Sequence, residues 1–305
     1  MAPRRGDARL SASAWRGIAM SVTAAFLFMW SGAVTRLTVP ASPAVVTFGR
    51  LAVAVAVVLL ITMALRRPLR PALSLRHAVL GVTLYLHFYL FTVAAQTSTV
   101  AHALSITYTA PIFVAAGSAL LLREPPSRTQ LAGVVAAVVG IGILAGFDPG
   151  EAGVSLLGDL AALGSAVTLA AYVLAGRWLR RANPLETYVS GVYGWAALAA
   201  LPGAAVTLNV AALGDAWLWI VLLGIGPLAI GHTLINAALR RLPATVPNVI
   251  AAQEVPAGVL IGVWLVQEVP GPTTLIGGLI ALAGVIAVIS GTPAARSRSA
   301  SSTRE

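Results

Sequence analysis

The stretch LLREPPSRTQLAGVVAAVVG (121–140) lies over LVQEVPGPTTLIGGLIALAG (265–284) at an offset of 144, with no gap. Leu121, Glu124, Pro126, Thr129, Leu131, Gly133, Ala137 and Gly140 meet Leu265, Glu268, Pro270, Thr273, Leu275, Gly277, Ala281 and Gly284. Glycines can coincide by chance in apolar segments. Matching Glu, Pro and Thr in the same register point instead to an internal duplication. What has been duplicated depends on the medium in which the chain folds, and composition decides that.

Hydrophobic residues make up 58% of the 305 residues and charged residues 10%, against roughly 25% charged in ordinary soluble domains. So few charges cannot cover the surface of a soluble protein of this size. A membrane-crossing helix needs roughly 20 mainly apolar residues. The runs between charges and turn residues give ten: 15–35, 44–64, 78–95, 101–121, 130–147, 156–176, 186–206, 217–237, 246–266 and 273–291. The third and fifth are short for the purpose. Cysteine is absent, which excludes disulfides and thiolate metal sites. The first run is too long for a signal-peptide core and is kept as mature structure.

The charged residues test the count. All twenty basic residues are arginines, and the net charge is +10. Positive residues stay on the cytoplasmic side of a membrane. With the N-terminus inside and ten crossings, eighteen of the twenty arginines fall in cytoplasmic segments: the two tails and the loops after the second, fourth, sixth and eighth runs. The opposite loops hold Arg36 with Asp148, Glu151, Asp215 and Glu268, and Arg50 lies inside a run. One crossing more or fewer would scramble this pattern. The basic charge is therefore a topology signal and calls for no nucleic-acid partner.

Each copy of the duplication holds five runs, and an odd number inverts the second copy relative to the first. The predicted fold class is an all-α membrane protein with ten transmembrane helices, arranged as two inverted five-helix repeats. The predicted divisions are a cytoplasmic tail (1–14), a first repeat (15–147), a second repeat (156–291) and a disordered cytoplasmic tail (292–305). Inverted repeats recur in secondary transporters, with substrate held between the copies near mid-membrane.

Several stretches, in order, carry a family resemblance: FGRLAVAV (48–55), AAQTSTVAHALSITYTAPIF (94–113), LLREPP (121–126), GDLAALGSAVTLAAYVLAGRWLRRANPLE (158–186) and INAALRRLPATVPNVIAAQEVPAGVLIGVWLVQE (235–268). Together they resemble the ten-helix EamA-type members of the drug/metabolite transporter superfamily over most of residues 15–291. The sequence departs from the family pattern at Val255, where proline is usual after the glutamate, at Arg123 and Gln267, where glycine is usual, and at His232, where an aromatic is usual. The resemblance implies movement of small metabolites, amino acids among them, by alternating access in a bacterial cytoplasmic membrane.

Within NVIAAQEVPAGVLIGVWL (248–265), Glu254 lies about eight residues and, at roughly 1.5 Å per residue, about 12 Å into its run. A charge at that depth costs at least about 2.5–3.5 kcal/mol on insertion scales. It is paired, protonated or used, and burial would favour a proton carrier. Pro256 is expected to free the carbonyl of Ala252. Structural alternatives are a pair with Arg50 or hydrogen bonds to Gln253 or Asn248. Arg50 could grip a substrate carboxylate through its planar fork, snorkel outward, or pair with Glu254 or Asp159. Tyr108 and Trp30 are the preferred aromatic lining residues, because both precede helix-distorting or small residues.

His87, His102 and His232 match no metal-ligand spacing, so no metal is expected, and neutral histidines bonded to a neighbouring helix are the commoner case. His232 remains a candidate beside Asn236, at i, i+4 spacing. His77 reads as an uninformative loop residue. Glu124 and Glu268 read as caps of the following helices. GILAG (142–146) permits close helix approach, with packing inside the monomer the expected use and a homodimer left open.

Walker A, HExxH and GxSxG motifs are all missing, and no loop has room for a soluble ATPase domain. The expected function is secondary active, proton-coupled export of a small metabolite such as an amino acid, without cofactor or catalysis. The partners are then the substrate, protons and the lipid bilayer. An intramembrane enzyme and a non-transporting scaffold or sensor are the alternatives.

Overall fold

The computed structural model describes residues 11–68, 74–98, 100–144, 155–257 and 272–292, apart from the side chains of 100–102, 144, 274 and 275. Among the described residues every regular element is a helix. That is what lipid demands, since a helix satisfies its own backbone polar groups and an open strand edge does not. Seven helices reach crossing length: Ala12–Arg36 (with a break), Pro43–Ala64, Leu75–Thr97, Ala103–Leu120, Leu156–Leu179, Leu185–Thr207 and Val210–Ala238. The shorter apolar helices Arg128–Ile143 and Ile276–Ser290 supply the fifth and tenth spans. Thr245–Ala251 begins the ninth. Ten spans result.

Two spans exceed the expected apolar runs by the widest margin. The third extends over Leu75–Thr97, because its first turn carries the polar pair Arg76 and His77, which a hydropathy reading excludes. The eighth begins at Val210, because Asn209 caps it by accepting from the N–H groups of Ala211 and Ala212 at 3.1 and 3.3 Å. Serine caps start three more helices: Ser11 accepts from Ala14 N–H (3.1 Å), Ser42 from Val45 (3.2 Å) and Ser155 from Gly158 (3.0 Å). Each satisfies a backbone donor that the helix start leaves orphaned. The disordered tail expected over 292–305 lies outside the described residues beyond Thr292.

The glycines of the duplication are where the two copies touch. The fifth and tenth spans pack side by side. A Cβ on Gly140 would stand 2.7 Å from Gly277 O, and one on Gly284 would stand 2.6 Å from Gly133 O. Contacts of this reciprocal kind mark a two-fold relation. The repeats are inverted and pack about that axis. The remaining contacts obey it too: the second span meets the seventh, the third meets the sixth, and the first meets the eighth and ninth. Gly142, in GILAG, has nothing within 4 Å among the described residues; the close approach they show runs through Gly133 and Gly140, and Gly146 lies outside them.

Four spans are irregular near mid-length. The first breaks at Met29–Trp30, between helices Ala12–Phe28 and Ser31–Arg36. The fourth breaks at Tyr108–Thr109, ahead of Pro111. The ninth breaks at Ala252–Gln253 and resumes at Glu254. The fourth and ninth breaks are equivalent at the repeat offset of 144. The eighth widens to a π-helix over Gly224–His232, around Pro227. Proline lacks an N–H and crowds the carbonyl four residues earlier, so the chain shifts register there.

Candidate functional site

The four irregular segments converge with the middles of the second, third and sixth spans on one buried pocket. Its lining includes Arg50, His87, Phe88, Tyr108, His232 and Glu254. Paired interrupted helices in the two halves of an inverted repeat are the expected setting of a transporter site. The repeat operator is visible in the walls. Phe28 and Tyr172 are related by the offset of 144, as are Phe88 and His232, and all four line the pocket.

Glu254 is 3% exposed. The Tyr108 hydroxyl donates a short hydrogen bond to its Oε2, while Oε1 is buried without a hydrogen-bond partner among the described residues. The contact follows from the two equivalent breaks: each replaces helical bonds by tighter ones, Thr109 N–H to Ile106 O and Gln253 N–H to Ile250 O, and together they bring residues 146 apart in sequence into contact. The expected free carbonyl is not there. Ala252 O accepts from Val255 N–H at 3.3 Å, because the chain tightens into a turn ahead of Pro256 and uses the carbonyl that proline cannot.

Arg50 is 1% exposed, so it does not snorkel. Its Cζ lies 4.3 Å from the centroid of Phe88, a cation–π contact that holds the guanidinium over the ring. Its Nε and Nη1 are buried without hydrogen-bond partners among the described residues. Arg50 and Glu254 interact by charge across the pocket. Asn248 also lines it, with Oδ1 unpaired. The site thus offers two free donors and two free acceptors beside aromatic walls.

The two histidines are positioned from opposite halves. His87 Nδ1 lies 3.0 Å from Ser165 O and 2.9 Å from Ser165 Oγ. A carbonyl can only accept, so Nδ1 carries the hydrogen and Nε2 is left as an acceptor. His232 packs between Phe28 and Phe88 at ring separations of 4.8 and 5.0 Å, with His87 6.3 Å away. Gly231 allows this, since a Cβ there would lie 2.5 Å from Phe28 Cε1. No group of three or more metal-ligating residues occurs among the described residues.

Five of the eight sequence candidates line the pocket: Glu254, Arg50, Tyr108, His232 and Asn248. Three do not. Trp30 is 38% exposed, because the break beside it turns Ser31 inward instead. Gln253 is one residue out of phase with Glu254, and its Nε2 is buried and unpaired elsewhere. Asn236 stands behind the wall, donating to Tyr172 Oη at 2.7 Å and to His232 O at 2.8 Å.

His87, Phe28 and Phe88 were not among those candidates. The offset that pairs Phe88 with the candidate His232 could have found Phe88.

Two further expectations change. Glu124 does not cap the next helix; Ser127 does, accepting from Gln130 N–H at 3.2 Å. Glu124 instead binds Arg177 at 3.0 Å and also Arg181, and Arg177 donates in addition to Leu239 O. This ties the fourth, sixth and eighth spans at the arginine-rich end. His77, read as a loop residue, is a buried member of the third helix. Glu268 and the side chain of His102 lie outside the described residues.

Ten apolar helices in inverted repeats around a polar pocket define a multi-pass membrane protein with the architecture of a secondary transporter. The chain belongs to the EamA-like transporter family, whose pattern it matches over residues 15–146 and 156–290. It is 30% identical over 168 residues to the aromatic amino acid exporter YddG of Ancylobacter novellus, a match covering 54% of this chain. The chain spans 58% of the length of that relative. A solved structure, described only as the crystal structure of a protein, superposes with a TM-score of 0.74. That likeness covers 90% of this chain and 96% of the other at 24% identity, and it concerns the fold.

Proposed function

We propose that this protein is a secondary active transporter of the bacterial cytoplasmic (inner) membrane, with both termini inside. It exports a zwitterionic metabolite of the amino-acid class in exchange for protons, by alternating access and without catalysis. One observation carries the reading: the unpaired Arg50 nitrogens and the unpaired Glu254 Oε1 sit in a single aromatic-walled pocket. Burying such groups unpaired is costly, and a zwitterion satisfies both. Its carboxylate takes the Arg50 fork, its ammonium takes Glu254 and Asn248, and its side chain lies among Phe28, Phe88 and Tyr172. The name of the curated relative agrees with this chemistry.

The free volume of the pocket is about 40 Å³, room for a few waters. An amino acid enters only if the spans part, as alternating access requires. The ties of Glu124 to Arg177 and Arg181 stand at one exit. Arg36 stands at the other, donating to Ser98 O at 2.8 Å and Ala95 O at 3.2 Å.

The test is counterflow in liposomes. External labelled L-phenylalanine should exchange for internal unlabelled substrate, and Arg50→Ala should abolish the exchange. An imposed pH gradient should drive accumulation in the native protein, and Glu254→Gln should lose that drive while keeping some exchange. Failure of every zwitterionic amino acid to exchange would refute the reading.

A further inference from the structure

A second group of buried polar atoms lies between the pocket and the arginine-rich end. His77, in the first turn of the third span, is 5% exposed; its Nδ1 meets Ser74 Oγ at 2.8 Å, and its Nε2 is buried without a hydrogen-bond partner among the described residues. Tyr188, in the first turn of the seventh span, is fully buried with an equally unpartnered hydroxyl. The two ring centroids are 6.4 Å apart. The Tyr188 hydroxyl occupies a niche against Gly176, where a Cβ would meet it at 2.7 Å. One turn earlier on that helix is Tyr172, which lines the pocket.

Tyr172 and Tyr188 hydroxyls are neighbours without meeting at hydrogen-bonding geometry. Asn236 Nδ2 donates to Tyr172 Oη at 2.7 Å, which leaves the Tyr172 O–H to donate in turn. Phenylalanine at 188 and an apolar residue at 77 would fill the same space without stranding polar atoms. Water between the hydroxyls and the imidazole would satisfy them. The charged groups around the line are Arg180, 5.7 Å from the Tyr188 ring, the pair Arg67–Glu186 at 3.9 Å, and Arg76 over Trp178 at 4.9 Å.

We infer that Tyr172, Tyr188 and His77 form a water-bridged proton path from the central pocket to the arginine-rich end of the bundle. The inference rests on the proton-coupled reading above. A proton leaves the Glu254 carboxyl for pocket water. The Tyr172 oxygen takes a hydrogen while its own O–H passes on, and Tyr188 does the same. His77 gains the hydrogen at Nε2 and releases one from Nδ1 through Ser74 Oγ. Each carrier gains and loses one hydrogen, Glu254 ends as a carboxylate, and the solvent gains one proton. The hydroxyls need not ionise, and the path works while the ion-paired end stays closed to substrate.

The experiment uses the full-length protein in lipid nanodiscs, with D₂O as the probe. The carboxyl C=O band lost in Glu254→Gln identifies Glu254, and the shift of that band on transfer to D₂O times its exchange. His77→Phe and Tyr188→Phe should each slow exchange by about tenfold or more. Tyr193→Phe should not, since its hydroxyl lies off the path beside Thr233 Oγ1 at 3.2 Å. Gly176→Ala keeps every polar group and displaces the Tyr188 hydroxyl, so it should also slow exchange, which guards against misfolding of the other variants.

Unchanged exchange in both phenylalanine variants overturns the path. So does the lack of a Glu254-dependent carboxyl band from acid to alkaline pH, because no proton then resides there. L-phenylalanine counterflow on the same samples separates the two readings. Its failure in the native protein, together with that of every other zwitterionic amino acid, refutes amino-acid transport, while the D₂O measurement still reports on the path.

Discussion

Replacing Gly140 with alanine adds one methyl group to the fifth span at its closest approach to the tenth. The new Cβ would stand 2.4 Å from Ala281 N and 2.7 Å from Gly277 O. Both are backbone atoms, which cannot rotate away as a side chain could. The helices must separate, and the reciprocal contact of Gly133 with Gly284 O, 2.6 Å from the built Cβ, loosens with them. Overpacking of this kind costs about 1–3 kcal/mol. Alanine returns up to about 1 kcal/mol through its better helix propensity. The net loss is about 1–2 kcal/mol, and at roughly 2–4 °C per kcal/mol the melting temperature should fall by several degrees. Gly142→Ala is the internal control: among the described residues nothing stands within 4 Å of its Cβ, so it should keep the propensity gain and melt at or slightly above the native temperature. Intrinsic tryptophan fluorescence in detergent reads both variants. Equal melting of Gly140→Ala and Gly142→Ala would refute the reciprocal glycine packing.

Tyr108→Phe removes the donor to Glu254 Oε2, leaving both carboxyl oxygens unpaired. It should cost about 1–3 kcal/mol in thermal stability and disturb coupling more than exchange in the liposome assay. Arg50→Lys keeps the charge but loses the planar fork over Phe88. It should weaken binding of a carboxylate substrate by roughly tenfold or more, read as a raised half-saturation concentration in counterflow. Glu124→Ala severs the partly buried ties to Arg177 and Arg181. Stability should drop by about 1 kcal/mol, and added salt should narrow the difference from the native protein, because screening weakens only the intact pairs.

Sequence alone determined the medium, the ten spans and their inverted duplication. These properties follow from sums along the chain: hydropathy per segment, arginines per loop, and residues matched at a fixed offset. It also placed Glu254 and Arg50 inside the membrane, because a charge in an apolar run needs no coordinates to be recognised as costly. The two-fold packing of Gly133, Gly140, Gly277 and Gly284 was legible as a repeat but not as a contact.

Tertiary structure alone decided which side chains share the pocket, because that depends on helix rotation. One residue of phase, about 100° on a helix, separates Glu254 inside from Gln253 outside, and Ser31 inside from Trp30 outside. The π-helix around Pro227 and the turns at Tyr108 and Ala252 reset that phase mid-span, so no fixed period carries through them. His87 gained its Ser165 partner only when the third span met the sixth, and His77 its Tyr188 neighbour only when the third met the seventh. Pairings between helices arise from packing rather than from order along the chain.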